Sequence, residues 1–230
     1  MLTIGMLGGM SWESSAEYYR LANVVVRERL GGLHSAKIVL HSVDFAEIER
    51  MQVEGRWDDA GKALADAAAR VEAGGADFLL LCTNTMHKVF DEVQAAVGIP
   101  MIHLGDTTAE AIKAAGLTTV GLLGTGFTMD QSFYRERLES HGLRVLLPST
   151  EDRATVHRII YDELCVGVVR DESRRAYQDV IARFDGAQGV ILGCTEIELL
   201  ITQDDVPQPV FPTTRLHVEA AVERAIQANP

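Results

Sequence analysis

Short apolar runs alternate along this chain with longer stretches of helical period. The runs are Thr3–Leu7, Lys37–Leu40, Phe78–Leu81, Met101–His103, Val120–Leu123, Arg144–Leu147, Val190–Leu192 and Val210–Phe211. Runs this short and unbroken predict strands buried on both faces of a mainly parallel sheet. Amphipathic segments lie between them, and such alternation is the signature of an α/β fold. Ser11 opens the first helix, which stops at Gly31-Gly32, and another runs from about Asp58 to Gly74-Gly75. Thr107-Thr108-Ala109-Glu110 and Thr128-Met129-Asp130-Gln131 read as capping boxes, closed by Gly116 and Gly142. Asp152 and Asp171 open two further helices, and a last one spans about Thr214 to Ala228.

The chain repeats itself. Thr3-Ile-Gly-Met-Leu-Gly8 matches Thr119-Val-Gly-Leu-Leu-Gly124, and each is followed by a tyrosine-containing helix (Tyr18-Tyr19-Arg20 and Phe133-Tyr134-Arg135). Leu80-Leu-Cys-Thr83-Asn-Thr85 resembles Ile191-Leu-Gly-Cys194-Thr-Glu196. Each of these precedes a Pro-flanked strand and a Thr-Thr helix start, from Pro100 to Thr108 and from Pro209 to Thr214. Two matched strands in the same order predict two pseudo-symmetric α/β lobes. The first would cover 1–98, completed by the C-terminal helix 212–230, and the second 99–211. Ligands of open parallel sheets sit at the carboxyl ends of strands. Two facing lobes would therefore set Thr83 and Cys194 on opposite walls of one cleft. Two proton-handling groups on opposite faces of a substrate are what inversion at a tetrahedral carbon requires.

Composition narrows the function classes. Apolar residues are 47% and charged residues 23% of 230, which excludes disordered and fibrous chains. Aromatics are only 6%, so the core is built of Ala, Val, Leu and Ile. A net charge of −12 argues against nucleic acid or an anionic membrane surface as partner, though a local site for a small acidic substrate is compatible with it. The stretch Met1–Ser15 has no positive leader and is broken by Gly5, Gly8 and Gly9, so no secretory signal is expected. No run approaches the length of a membrane span. Cys82, Cys165 and Cys194 stand far apart with no CxxC pair, which suits a reducing cytoplasm rather than a disulfide frame or a structural zinc site.

Several residues carry candidate chemistry. Cys194 lies in Gly193-Cys194-Thr195-Glu196, at a strand end with a helix expected just beyond. Backbone N–H groups and the helix dipole there would lower its pKa toward 7, making a thiolate base for a proton α to a carboxylate. The competing reading is a small buried hydrophobe; the flanking residues and the match in the other half favour the functional one. Thr83-Asn84-Thr85 is the matching segment, suited to cradle a carboxylate or simply to cap a helix. Cys82 should point away from Thr83, because strand side chains alternate. Gly8-Gly9-Met10-Ser11 permits a tight turn and close approach, but is neither GxGxxG nor a Walker A loop. His34, His41, His103, His141 and His157 read as structural, whereas His87 and His217 fit either role. Met51, Met86, Met101 and Met129 read as core or cleft lining. There is no H-E-x-x-H motif or Cys/His cluster with ligand spacing, so no metal site is expected.

The motifs taken together resemble the aspartate/glutamate racemase family. They are Ile4-Gly-Met-Leu-Gly-Gly-Met10-Ser-Trp-Glu13, Ser42-Val-Asp-Phe45, Thr83-Asn-Thr-Met-His87 and Gly193-Cys-Thr-Glu196. The resemblance spans essentially the whole chain and is nearest to the broad-specificity amino-acid racemase branch. It implies two lobes, no pyridoxal phosphate or other cofactor, no metal, a homodimer, and one proton carrier per lobe. The second-half carrier falls on Cys194. The first-half carrier, usually the cysteine of a Cys-Asn-Thr segment, falls by register on Thr83, with Cys82 as the lower-ranked substitute should the strand end twist. Substrate contacts carry over to Met10, Gln52, Thr83, Asn84, Thr85, Thr195 and Glu196. Threonine is a far weaker acid than a thiol and cannot be a standing base at pH 7, but it can deliver or relay a proton. Several aspartate-specific relatives carry a lysine near the segment that here reads Leu164, Cys165 and Val166, so uncharged substrate side chains are open. The glutamate racemase branch has Asp-Ser where this chain has Gly8-Gly9. The implied activity is amino-acid racemisation. The alternatives are a single-cysteine decarboxylase of malonate type on the same fold, and a binding protein without turnover.

Overall fold

All eight apolar runs form strands, and they assemble as two separate four-stranded parallel sheets in a computed structural model that describes residues 1–227. The first sheet contains β1 (Ile4–Gly8), β2 (Ile38–Ser42), β3 (Phe78–Leu81) and β4 (Met101–Ile102), in the order β2-β1-β3-β4. The second contains β5 (Thr119–Gly124), β6 (Arg144–Leu146), β7 (Gly189–Gly193) and β8 (Val210–Pro212), in the order β6-β5-β7-β8. The two orders are the same once the strands are counted from the start of each sheet, so the sequence repeat is a repeat of topology.

Helices α1 (Trp12–Leu30), α2 (Phe45–Val53), α3 (Trp57–Ala73) and α4 (Phe90–Ala95) connect the first set of strands. After β4 comes α5 (Leu104–Ala114), and the second set is connected by α6 (Gly126–Asp130), α7 (Ser132–Ser140), α8 (Thr150–Asp162) and α9 (Asp171–Ala182). The last helix is α10 (Thr213–Gln227); its expected end at Ala228 lies outside the described residues, as do 229 and 230. The chain divides into two compact units. One is Met1–Leu104 with the segment from His217 onward, the other Gly105–Leu216. Helix α5 thus follows the last strand of the first sheet yet belongs almost wholly to the second unit, and α10 makes the opposite crossing.

Side-chain alternation gives the first sheet a core on each face. Leu7, Leu79 and Leu81 pack with Leu64, Ala67, Ala68 and Val71 of α3. On the other face Ile4, Met6, Phe78, Leu80 and Cys82 pack with Tyr18, Leu21 and Val25 of α1 and with Val218, Ala221 and Val222 of α10. A fully buried side chain of this size is worth about 1.5–3 kcal/mol, so α10 is an integral wall of that core. In the second unit Leu123, Val190, Leu192 and Cys194 face Val156, Ile159 and Ile160 of α8 and Tyr177, Val180 and Ile181 of α9.

Several expectations need correction. Burial on both faces holds for β1, β3 and β7, but β2 and β6 are sheet edges and stay partly open; Leu40 is 43% exposed. The Thr107–Glu110 box does not open a helix, because α5 has already begun at Leu104, whose N–H is taken by His87 Nε2 at 3.1 Å. Thr128 lies inside α6; the cap is Thr125, whose hydroxyl accepts from the Thr128 N–H. Ser149, not Asp152, caps α8, accepting from the Asp152 N–H at 3.1 Å. Helix α2, which the apolar pattern did not reveal, is capped by Asp44.

Candidate active site

The pairing registers set the two half-sites in correspondence. Leu7 pairs with Leu81 in the first sheet and Leu123 with Leu192 in the second, where the next pair is Gly124 with Gly193. Gly8 and Gly124 occupy equivalent places, so Cys82 corresponds to Gly193 and Thr83 to Cys194. Each of the latter pair sits just past the carboxyl end of the third strand of its sheet, ahead of a short 3-10 turn (Thr85–Val89 and Thr195–Leu199).

In the first unit the strand ends gather Met10, Thr83, Asn84 and Thr85, all nearly buried. Gln52, in the last turn of α2, joins them by donating to Met86 Sδ at 2.9 Å. The Thr83 hydroxyl makes no hydrogen bond to another described residue. Its carbonyl, by contrast, is held. The Leu104 N–H donates to His87 Nε2, which places the ring proton on Nδ1, and Nδ1 donates to the Thr83 oxygen at 2.7 Å. His87 is therefore a neutral brace behind Thr83. His217 is also a brace: its Nε2–H donates to the Ile102 carbonyl at 2.9 Å and its Nδ1 accepts from the Tyr18 hydroxyl at 3.0 Å. Burial holds the His217 pKa down at about 4. The Gly8-Gly9 turn answers to the chain's own packing: a Cβ at Gly8 would strike Ser15 and one at Gly9 would strike the Val43 backbone. Cys82 lies in the core between β3, α1 and α10, and burial pushes its thiol far up.

In the second unit the Cys194 thiol donates to Glu196 Oε2 at 2.9 Å, and both residues are buried. This overturns the expectation of a thiol lowered toward 7. The segment after Cys194 is a five-residue 3-10 turn rather than a long helix with a strong dipole, while burial, followed by the charge of Glu196 and the hydrogen bond to it, drives the thiol well above its ordinary value. Thr195 Oγ1 accepts from Thr214 Oγ1 at 3.1 Å, and the Thr213 hydroxyl donates to the Leu192 carbonyl, so the start of α10 fastens the end of β7. The turn Leu164–Val166 packs against the Thr195–Leu199 turn, which brings Cys165 beside Cys194. That turn is anchored by the buried Glu163, which accepts from Ser173 Oγ at 2.6 Å. The bracing by His87 was missed in sequence, although its spacing four residues after Thr83 was a usable signal. So was the role of Glu196 as partner of the thiol. Among the described residues no group of three or more His, Cys, Asp or Glu is placed to hold a metal ion.

Comparison with known proteins gives this geometry a context. A family profile described as Asp/Glu/Hydantoin racemase matches residues 7–221. The crystal structure of a candidate Asp/Glu racemase from Yersinia pestis is similar over 99% of this chain and 100% of its own, at 51% identity and a TM-score of 0.92. The crystal structure of an aspartate racemase homologue from Pyrococcus horikoshii covers 98% of this chain and 100% of its own, at 35% identity and a TM-score of 0.88. The broad-specificity amino-acid racemase RacX of Bacillus subtilis is 34% identical over 89 residues, a match that spans only 39% of this chain and 39% of that relative.

Proposed function

The chain belongs to the Asp/Glu/Hydantoin racemase family, and from that premise we propose that it is a cofactor-independent amino-acid racemase, an isomerase that interconverts L- and D-amino acids with Cys194 and Thr83 as its two proton carriers. The observation that carries this reading is the buried thiol–carboxylate pair of Cys194 and Glu196, 2.9 Å apart, at the end of β7. The carboxylate stands in contact with the thiol and is the group placed to take its proton when the substrate displaces the resting arrangement. On substrate binding Glu196 takes that proton, and the Cys194 thiolate removes the α-proton of the amino acid from one face. The C–H electron pair stays on the substrate, delocalised into its carboxylate. Thr83 delivers a proton to the opposite face and regains one from water, to which Glu196 returns its own. Asn84, Thr85 and Thr195 hold the substrate carboxylate, and Met10 and Gln52 line the substrate. The burden of catalysis is stabilising the carbanion, which falls to preorganised donors at about 1.36 kcal/mol for each tenfold in rate.

The protein acts on a small amino acid as a homodimer in the cytoplasm. Among the described residues no helix is long and apolar enough to cross a membrane. The test is α-proton exchange: single L-amino acids are incubated in deuterium oxide and the α-proton signal is followed by NMR. Loss of that signal together with appearance of the D-enantiomer, both abolished by Cys194→Ala, is the expected result. Absence of exchange with every amino acid, or a Cys194→Ala chain as active as the parent, overturns the reading. Sedimentation equilibrium tests the dimer.

A further inference from the structure

A cavity of about 460 Å³ lies in the second unit between α6 and the first half of α8, and none of its lining residues belongs to the candidate active site. Its walls combine an apolar surface, Phe127 and Ala154, with a cation and an anion, Arg153 and Asp130. Arg153 Nη1 stands 3.2 Å from Asp130 Oδ1, with the arginine mostly buried and the aspartate side chain 59% exposed. Nη2 of the same guanidinium donates to Thr150 Oγ1 at 3.3 Å, and its buried Nε–H has no hydrogen-bond partner among the described residues. His157 adds a donor. Its Nδ1 accepts from the Gly126 N–H at 3.0 Å, which leaves the ring proton on Nε2.

We propose that this cavity is a second binding site, for a free α-amino acid taken as its zwitterion, with the carboxylate on Arg153, the ammonium on Asp130 and an uncharged side chain against Phe127 and Ala154. The charge pattern selects that ligand class. A simple anion would satisfy Arg153 but meet Asp130 as a like charge, and a simple cation would do the reverse. A zwitterion replaces the Arg153–Asp130 contact with two contacts of its own, and the exposed aspartate leaves that contact open to exchange. The site is independent of the racemase reading, since neither Cys194 nor Thr83 takes part.

Calorimetric titration of the full chain carrying Cys194→Ala, with L-leucine as probe, tests this site. Two further probes lack one charge each: leucinamide has no carboxylate and 4-methylpentanoate has no ammonium. The expected result is an L-leucine binding event that Arg153→Gln and Asp130→Asn each weaken at least tenfold, and for which both analogues are at least tenfold weaker on the chain with its cavity unaltered. Binding at the strand ends would persist in both variants. The proposal is overturned by no L-leucine binding, by an isotherm that neither variant changes, or by an analogue that matches leucine. Since α-proton exchange reads only the strand-end site, failure here leaves the racemase reading standing, and the converse also holds.

Discussion

The thiol of Cys194 and the carboxylate of Glu196 form a hydrogen-bonded pair at 2.9 Å, buried at the end of β7. The pair has two readable consequences. Burial and the charge of Glu196 both hold the thiol protonated above its ordinary range, so alkylation of Cys194 by iodoacetamide should be slow at neutral pH. Glu196→Gln removes the charge, and the pH midpoint of alkylation should move down, as read by mass spectrometry of the Cys194 peptide. The same substitution removes the proton acceptor, so α-proton exchange should fall at least tenfold, about 1.4 kcal/mol in barrier. Faster exchange in Glu196→Gln would show that the carboxylate merely suppresses the thiolate.

Thr83 stands where the register places the counterpart of Cys194. Thr83→Cys should therefore speed racemisation in both directions, measured by chiral chromatography from pure L- and pure D-substrate. Unchanged rates would detach this position from the chemistry.

His217 makes stability depend on acid. Its pKa is about 4 in the folded chain against 6.5 in the reference state, so the unfolded chain binds the extra proton first. The associated stability is fully present above pH 6.5 and drains away as pH falls toward 4, by about 3 kcal/mol in total. Urea titrations across that range should show the loss, and His217→Gln should flatten it while lowering stability at pH 7. Equal pH slopes for the two chains would refute the assignment.

Gly9 and Gly31 both have positive φ, at 94° and 73°, yet they should respond differently to alanine. At Gly31 a Cβ meets nothing within 4 Å, so only the conformational cost applies, about 1–3 kcal/mol for a backbone at φ 73° and ψ −177° that is essentially confined to glycine. At Gly9 it would run into the Val43 backbone, adding about 1–3 kcal/mol of overpacking. Denaturant midpoints of Gly9→Ala and Gly31→Ala compare the two directly, and similar losses would remove the packing argument.

Much of this architecture is legible in the sequence. Central strands such as β3 and β7 announce themselves because burial on both faces leaves an unbroken apolar run, and duplication exposed the equivalence of Thr83 and Cys194. Helix starts were less legible. The α5 boundary depends on an imidazole seventeen residues upstream in sequence, His87, capping Leu104; no local capping rule registers such a partner. The state of the Cys194 thiol was misjudged for a related reason. Proximity to a helix start is local, whereas desolvation by α8, α9 and their neighbours is set by the finished core. Glu196 was visible as a residue, but its distance from sulfur was not. Strand alternation, which is local geometry, predicts that Cys82 turns inward, and Cys82 packs in the core with α1 and α10.

The crossing of α10 also bears on biosynthesis. When the ribosome has released residues 1–104, the four strands of the first sheet are all present, but the face bearing Ile4, Phe78 and Leu80 lacks Val218, Ala221 and Val222. The half made first closes only when the segment from His217 emerges. For about half of the chain's synthesis that face is therefore covered by α1 alone, and the part awaiting α10 is an open greasy surface on which a chaperone can dock.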